Sequence, residues 1–153
     1  MPMTESHPLH AKRFLAIDWG EKFIGLASFH VGFDPMVLTM GRIKGGAFEQ
    51  VWSELKKVIE DESIDVLVVG VPYFIDGKAG STTHKIREFL SQLLTVIEIP
   101  VFEQDETLST FSAEERMKNS PRYNFKINLS EIDTVSASII LEDFLRAQGV
   151  AKL

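Results

Sequence analysis

Three short apolar runs, bounded by turn-forming residues, occupy the first part of the chain. They cover residues 14–17, 23–29 and 36–43, and Asp, Gly and Pro residues stand between them. Short apolar runs separated in this way are typical of strands joined by tight turns. The pattern therefore predicts three consecutive antiparallel strands.

The period of the apolar positions changes after residue 47. From Phe48 to Ile59 apolar side chains recur every three or four residues with charged ones between them, which predicts an amphipathic helix. A continuous β-branched run at 64–70 predicts a strand covered on both faces. Further patterns predict helices at 81–95, 109–118 and 130–147, and a short strand at 99–103.

This order of elements predicts an α/β fold with a mixed five-stranded sheet and flanking helices. The β-α-β crossovers make the later strands parallel to the first strand, which is then central. Ligands of such sheets gather beyond the carboxyl ends of the strands. Asp18 lies at that end of the first strand, and Asp105 and Glu106 lie at that end of the last. The topology alone therefore predicts carboxylates at one edge of the sheet.

The composition is that of one globular domain. With 153 residues, 44% hydrophobic and 25% charged, the chain is close to average usage. We expect residues 1–13 to form a flexible tail without a secretory signal, and 14–149 to form a single domain. No apolar run approaches the roughly 20 residues of a bilayer helix, so we expect no membrane partner. Without cysteine, disulfides and thiolate sites are excluded, and we expect a cytoplasmic location.

The charge balance bears on nucleic acid as a partner. Sixteen basic and 22 acidic residues give a net charge of −6, which disfavours a polyanion on average. Residues 116–130 are an exception, because they contain no acid. The candidate nucleic-acid contacts are Arg116, Lys118, Arg122, Tyr123 and Lys126 in this segment, with Lys22 near the first strand. Basic side chains there could hold phosphates, and Tyr123 or Phe125 could stack on a base; a solvated loop is the alternative.

Four segments carry a family resemblance. The first segment contains Asp18, Gly20 and Gly25, and the second contains Gly70 and Pro72 with Asp76-Gly77. The third segment contains Asp105-Glu106. The fourth lies in the last predicted helix and contains Asp133. In this order they resemble the motifs of the YqgF family, which are Holliday-junction-resolvase-like proteins with an RNase H-like fold. The similarity runs from about residue 14 to about residue 145.

The resemblance implies a metal-dependent nuclease. Asp18, Glu106 and Asp133 match the acidic triad of the family, whose members are associated with processing the 5′ end of pre-16S ribosomal RNA. Phosphodiester hydrolysis by two divalent ions, about 3.5–4 Å apart, uses hard oxygen ligands such as carboxylates. Mg²⁺ or Mn²⁺ is therefore the implied cofactor, and structured RNA or branched DNA is the implied partner.

The residues leave alternatives open at two positions of the triad. Adjacent side chains on an extended chain diverge, so only one of Asp105 and Glu106 should face the site. Glu106 is chosen from the family match, which makes Asp105 a supporting or alternative ligand. Asp133 also fits a capping box with Ser130, in which its carboxylate would reach back to the helix N-cap.

Some positions depart from the family pattern. Phe23 replaces a basic residue, Glu21 a small hydroxyl and Thr107 an arginine, and each change weakens the positive potential near a phosphate. The main competing hypothesis is therefore a non-catalytic binding protein that retains the fold. An ATPase of the actin and sugar-kinase type is a weaker competitor, because those enzymes use two such lobes and this chain has room for one.

Overall fold

The elements follow the order predicted from the apolar pattern. The computed structural model describes residues 8–72, 80–106 and 109–150, so the Asp76-Gly77 turn and Thr107 lie outside the described residues. The strands are β1 (Arg13–Asp18), β2 (Phe23–His30), β3 (Leu38–Lys44), β4 (Val66–Val71) and β5 (Val101–Asp105). The helices are α1 (Phe48–Asp61), α2 (Gly80–Leu94), α3 (Ser109–Lys118) and α4 (Ile132–Ala147), with a short 3-10 turn at Pro121–Tyr123.

The five strands form one mixed sheet in the order β3-β2-β1-β4-β5. The pairs β1–β2 and β2–β3 are antiparallel, whereas β1–β4 and β4–β5 are parallel. Tight turns join the antiparallel neighbours, and helical crossovers join the parallel ones. The predicted RNase H-like mixed sheet with a central first strand is confirmed. In the described part of the chain, no helix has the length and apolarity needed to cross a bilayer.

The two faces of the sheet pack against different helices. Leu15 and Ile17 of β1 belong to a core formed with α1 and α2. Phe14 and Ala16 belong to a second core, formed with α4. Because side chains alternate along a strand, Asp18 continues the row of Phe14 and Ala16 and lies on the α4 face. The position of α4 therefore decides what Asp18 meets.

A β-bulge interrupts the pairing of β2 with β3. Gly25 pairs with Arg42, but Ala27 pairs with Thr39, so β3 carries one more residue than β2 between these pairs. Met40 and Gly41 of β3 thus lie opposite the single residue Leu26 of β2. Gly41 has a φ of 78°, a left-handed conformation that glycine adopts easily. The bulge reverses the alternation along β3 and turns Arg42 toward the α4 face.

One hydroxyl of α4 satisfies the backbone groups that the bulge leaves unpaired. Thr134 Oγ1 accepts hydrogen bonds from the amides of Met40 and Gly41, both at 3.1 Å. The same hydroxyl donates to the carbonyl oxygen of Leu26 at 2.6 Å. Because Thr134 is buried, water cannot replace these bonds, and the two amides and the carbonyl rely on the hydroxyl for their hydrogen bonds. The side chain therefore fixes the first turn of α4 to β2 and β3.

The first turn of α4 also packs directly on Gly25. A Cβ atom at this position would lie 2.0 Å from the carbonyl oxygen of Asp133 and 2.8 Å from the amide nitrogen of Thr134. Both neighbours are backbone atoms, which cannot move aside by a rotamer change. Only glycine permits this approach of helix to strand.

We predict that Gly25→Ala lowers the free energy of unfolding by about 3 kcal/mol, at the upper end of overpacking costs. The check is urea unfolding followed by circular dichroism. Gly41→Ala is the control, because a Cβ there meets no atom within 4 Å. Its cost should come from the left-handed φ alone, about 1 kcal/mol. Equal costs for the two variants would contradict the close-packing argument.

Candidate active site

Asp18 is flanked by glycine on both neighbouring strands. It ends the central strand β1 and pairs with Gly25 of β2. On β4, Gly70 follows Val69, which pairs with Ile17. The missing side chains leave room on the α4 face at the carboxyl end of β1. That room is used on one side by Asp133 and on the other by Glu106.

Glu106 is held beside Gly70 by its own backbone. A Cβ at Gly70 would lie 3.2 Å from Glu106 Oε2 and 2.5 Å from Ile140 Cδ1. The amide of Glu106 donates to the carbonyl oxygen of Val71 at 3.0 Å. Its carbonyl oxygen accepts from the amide of Ser109, the first residue of α3, at 2.8 Å. The side chain is therefore anchored on both sides and directed over the sheet.

The carboxyl groups of Asp18 and Glu106 lie close enough to shift each other's pKa. Burial, followed by the charges of Glu106 and Asp133, raises the pKa of Asp18 well above its usual range. Burial, and then the charge of Asp105, also raises the pKa of Glu106, against hydrogen bonds from Asp18 and Ser109 that lower it. Two carboxylates this close repel, and raised pKa values mean that a proton is favoured on the pair. A cation at this position would relieve the same repulsion.

Asp133 lies in the first turn of α4 and pairs with Arg42. Its Oδ2 atom is 3.7 Å from Arg42 Nη1. Burial raises the pKa of Asp133, and the positive charge of Arg42 acts in the opposite direction. The guanidinium carbon of Arg42 lies 3.6 Å from the centroid of the Phe23 ring. Arg42 is therefore a neighbour of the acidic residues that the sequence patterns did not indicate.

The capping box considered for Asp133 is wrong. Helix α4 begins at Ile132, its N-cap is Glu131, and no side chain caps it. The hydroxyl of Ser130 instead donates to Asn128 Oδ1 at 2.6 Å. Because Ser130 is engaged with Asn128 outside the helix, the reciprocal contact that defines the box is not formed.

The fold thus brings Asp18, Glu106 and Asp133 to one edge of the sheet. The donor atoms are all carboxylate oxygens, the type that hard divalent cations prefer. Within residues 8–72, 80–106 and 109–150, no three acidic or histidine side chains converge as a ready-made metal site. Instead, the carboxyls of Asp18 and Glu106 lie together with raised pKa values, and the carboxyl of Asp133 faces Arg42. Glu106 lies beside Asp18, and the choice of Glu106 over Asp105 as the ligand stays a prediction.

Among the basic candidates, Arg116 has an acidic partner. Its Nη1 and Nη2 atoms donate to the two carboxylate oxygens of Glu142 at 2.9 and 2.8 Å. This bidentate contact raises the pKa of Arg116 and joins α3 to α4. The ion pair gives Arg116 a structural task, and its contact with nucleic acid stays a prediction.

The other basic candidates lie on exposed surface. Lys118 Nζ is 3.8 Å from Glu115 Oε1. Arg122 lies over the ring of Tyr123, with its guanidinium carbon 5.5 Å from the ring centroid. Tyr123 packs on the small core between α3 and α4, whereas Lys22 and Lys126 are exposed. Their role in binding nucleic acid also stays a prediction.

The mixed sheet with its flanking helices defines an RNase H-like domain. The structure resembles RuvC of T. thermophilus in complex with a Holliday junction substrate, with a TM-score of 0.57 and 10% identity over 91% of this chain and 97% of that chain. It also resembles the fowlpox virus resolvase in complex with Holliday junction DNA, with a TM-score of 0.54 and 12% identity over 88% of this chain and 97% of that chain. At such low identity, these similarities show the fold alone.

Residues 12–147 match the RuvX family, described as Holliday junction resolvase, and the chain belongs to this family, also called YqgF. A relative from Dictyoglomus thermophilum is 36% identical over 139 residues, which cover 90% of this chain and 98% of the relative. A relative from Crocosphaera subtropica is 30% identical over 131 residues, which cover 86% of this chain and 90% of the relative. Both relatives carry the name "Putative pre-16S rRNA nuclease".

We predict that Asp18→Asn stabilises the protein at neutral pH. Above the ordinary aspartate pKa of about 3.9, the unfolded chain has lost its proton while folded Asp18 retains it. The stability of the wild type therefore falls as pH rises through that interval, and asparagine removes this loss. We expect a melting temperature about 2 °C or more higher at pH 7.5, with a smaller difference near pH 4, by differential scanning calorimetry.

The matched control is Glu54→Gln, the same chemical change on the exposed face of α1. Between pH 4 and pH 7.5, the melting temperature of this variant should change by about as much as that of the wild type. A melting temperature of Asp18→Asn below that of the wild type at pH 7.5 would mean that the Asp18 carboxylate is stabilised in the fold.

Proposed function

We propose that this protein is a metal-dependent nuclease that hydrolyses phosphodiester bonds in structured RNA or branched DNA. The observation that carries the proposal is the close, half-buried carboxyl pair of Asp18 and Glu106, with Asp133 close enough to raise the pKa of Asp18. Such pairing of like charges destabilises a fold and is typical of functional sites. The names of the relatives support pre-16S rRNA as the physiological substrate. Cleavage at its 5′ end, in the cytoplasm, is part of the proposal.

Mg²⁺ or Mn²⁺ is the proposed cofactor, and Asp18, Glu106 and Asp133 are the proposed ligands. When bound, a divalent cation acts as a Lewis acid toward phosphoryl oxygens and lowers the pKa of water. Asp18 and Glu106 would then bind as carboxylates and release to solvent the proton that their raised pKa values favour. Asp133 would exchange its contact with Arg42 for the cation. The site stands at an accessible edge, since all three carboxylates keep part of their surface exposed.

A binding protein without catalysis is the second candidate, and the surface charge favours it. The net charge is −6, and several of the basic side chains have acidic partners. Lys85 pairs with Glu21 and Arg116 pairs with Glu142. This candidate predicts that nucleic acid is bound but not cleaved in the presence of either metal.

We predict that Mg²⁺ or Mn²⁺ raises the melting temperature of the wild type. Binding to the folded state alone, at 100 times the dissociation constant, adds about 2.7 kcal/mol to the free energy of unfolding, or about 5 °C or more. Asp18→Asn should lose most of this shift because it removes one charged ligand. The check is calorimetry with and without metal, with Glu54→Gln as control. An equal shift in all three proteins would place the bound metal elsewhere.

We predict that Asp18→Asn lowers the cleavage rate by about 100-fold or more, because it removes a negative charge that holds the cation. The assay uses a precursor fragment spanning the 5′ end of 16S rRNA and a four-way DNA junction, each with Mg²⁺, Mn²⁺ or EDTA. Products are resolved on denaturing gels.

Glu54→Gln is purified in parallel and should cleave like the wild type. Equal cleavage by the wild type and Asp18→Asn would assign the activity to another site or a contaminant. Binding of either substrate by wild type without any cleavage would reject the nuclease and favour the binding protein.

A further inference from the structure

Arg42 stands at the edge of the acidic cluster on the β3 side. Asp18 pairs with Gly25, and Gly25 pairs with Arg42, so the three residues lie in one row across β1, β2 and β3. Neighbouring strands are about 4.8 Å apart, which separates the backbones of Asp18 and Arg42 by about 10 Å. Asp133 lies over the glycine between them. A strand of nucleic acid that reaches Asp18 from this side would pass Arg42.

The bulge in β3 places the side chain there. Without the extra residue, alternation from Thr39 would turn Arg42 toward α1. The bulge is held by the Thr134 hydroxyl, from the residue next to Asp133. Bulges that redirect a side chain are common beside active sites. The position of Arg42 is therefore built into the contact between α4 and the sheet.

The guanidinium is held in place and yet remains accessible. It stacks on Phe23, with 3.6 Å between the guanidinium carbon and the ring centroid. The Arg42 side chain is 29% exposed, and its distance of 3.7 Å to Asp133 Oδ2 is longer than an ordinary hydrogen bond. An arginine presents five N–H donors in a planar fork that matches a phosphate. The stack leaves this fork able to bind an anion at the rim of the site.

We propose that Arg42 binds a phosphate of the nucleic-acid strand beside the acidic cluster and gives up its contact with Asp133 when it does so. The proposal rests on the proposed function, because it assumes a phosphodiester substrate at this site. It makes Arg42 a substrate-binding residue. Before substrate arrives, the same charge opposes a metal ion at Asp133, because like charges repel.

The test is a pair of measurements that change in opposite directions in Arg42→Gln. The first is affinity for the precursor-rRNA fragment and the four-way junction in EDTA, by fluorescence anisotropy over a salt series. We expect a loss of about 10-fold or more, from one charge-assisted contact, and a salt slope smaller by about one. The second is affinity for Mn²⁺ alone, from the electron paramagnetic resonance signal of free Mn²⁺. We expect Arg42→Gln to bind Mn²⁺ more tightly than the wild type, by about 3-fold or more.

Two further variants separate this role from a general charge effect or a damaged fold. Arg42→Lys keeps the charge without the fork, so its affinity for nucleic acid should lie between those of the wild type and Arg42→Gln. Lys44→Gln removes an exposed cation from the same strand. It should leave Mn²⁺ affinity unchanged and lower nucleic-acid affinity less than Arg42→Gln does.

The outcomes distinguish the two proposals. Wild-type affinity for both nucleic acids in Arg42→Gln would overturn the role of Arg42, whether or not the protein cleaves. Loss of both nucleic-acid and Mn²⁺ affinity in Arg42→Gln and Arg42→Lys would also overturn it, because that result indicates a structural role. If the wild type never cleaves but the opposite changes are observed, the nuclease proposal fails and Arg42 remains the phosphate contact of a binding protein.

Discussion

The close packing of the first turn of α4 on Gly25 is the contact on which the rest of the site depends. It brings the backbone of Asp133 to a distance from β2 that no side chain would allow. The next residue, Thr134, completes the hydrogen bonds of the β3 bulge from the same helical turn. One contact between helix and sheet therefore positions Asp133 directly and, through the bulge, positions Arg42.

The electrostatics of the site follow from this packing. Buried carboxylates close together are costly, and here the cost is reduced in two ways. Protonation is favoured at Asp18 and Glu106, whose pKa values are raised, and Asp133 faces Arg42. Both arrangements leave negative charge available to a cation, because a proton and an arginine side chain can be displaced. The features that reduce stability are therefore those that would make the site receptive to a metal and to a phosphate.

Much of the fold and part of the site could be predicted from the sequence. The change from alternating to helical spacing predicts the order of elements. The crossovers predict that Asp18 lies at one edge of the sheet together with Asp105 and Glu106. The capping box at Asp133 failed because the local pattern does not reveal that Ser130 binds Asn128. Arg42 was missed for a related reason: strict alternation along β3 puts it on the wrong face, and only the bulge corrects this.

The sequence by itself determined the class of fold, the central strand and the family, because these depend on periodicity and on motifs that are local in the chain. The tertiary structure decided which charges face one another. Glu106 lies beside Asp18, Arg42 approaches Asp133, and Arg116 is engaged by Glu142. These pairings depend on how closely a helix approaches a sheet, and that distance is determined by side-chain volumes at positions remote in sequence, such as Gly25 and Gly70.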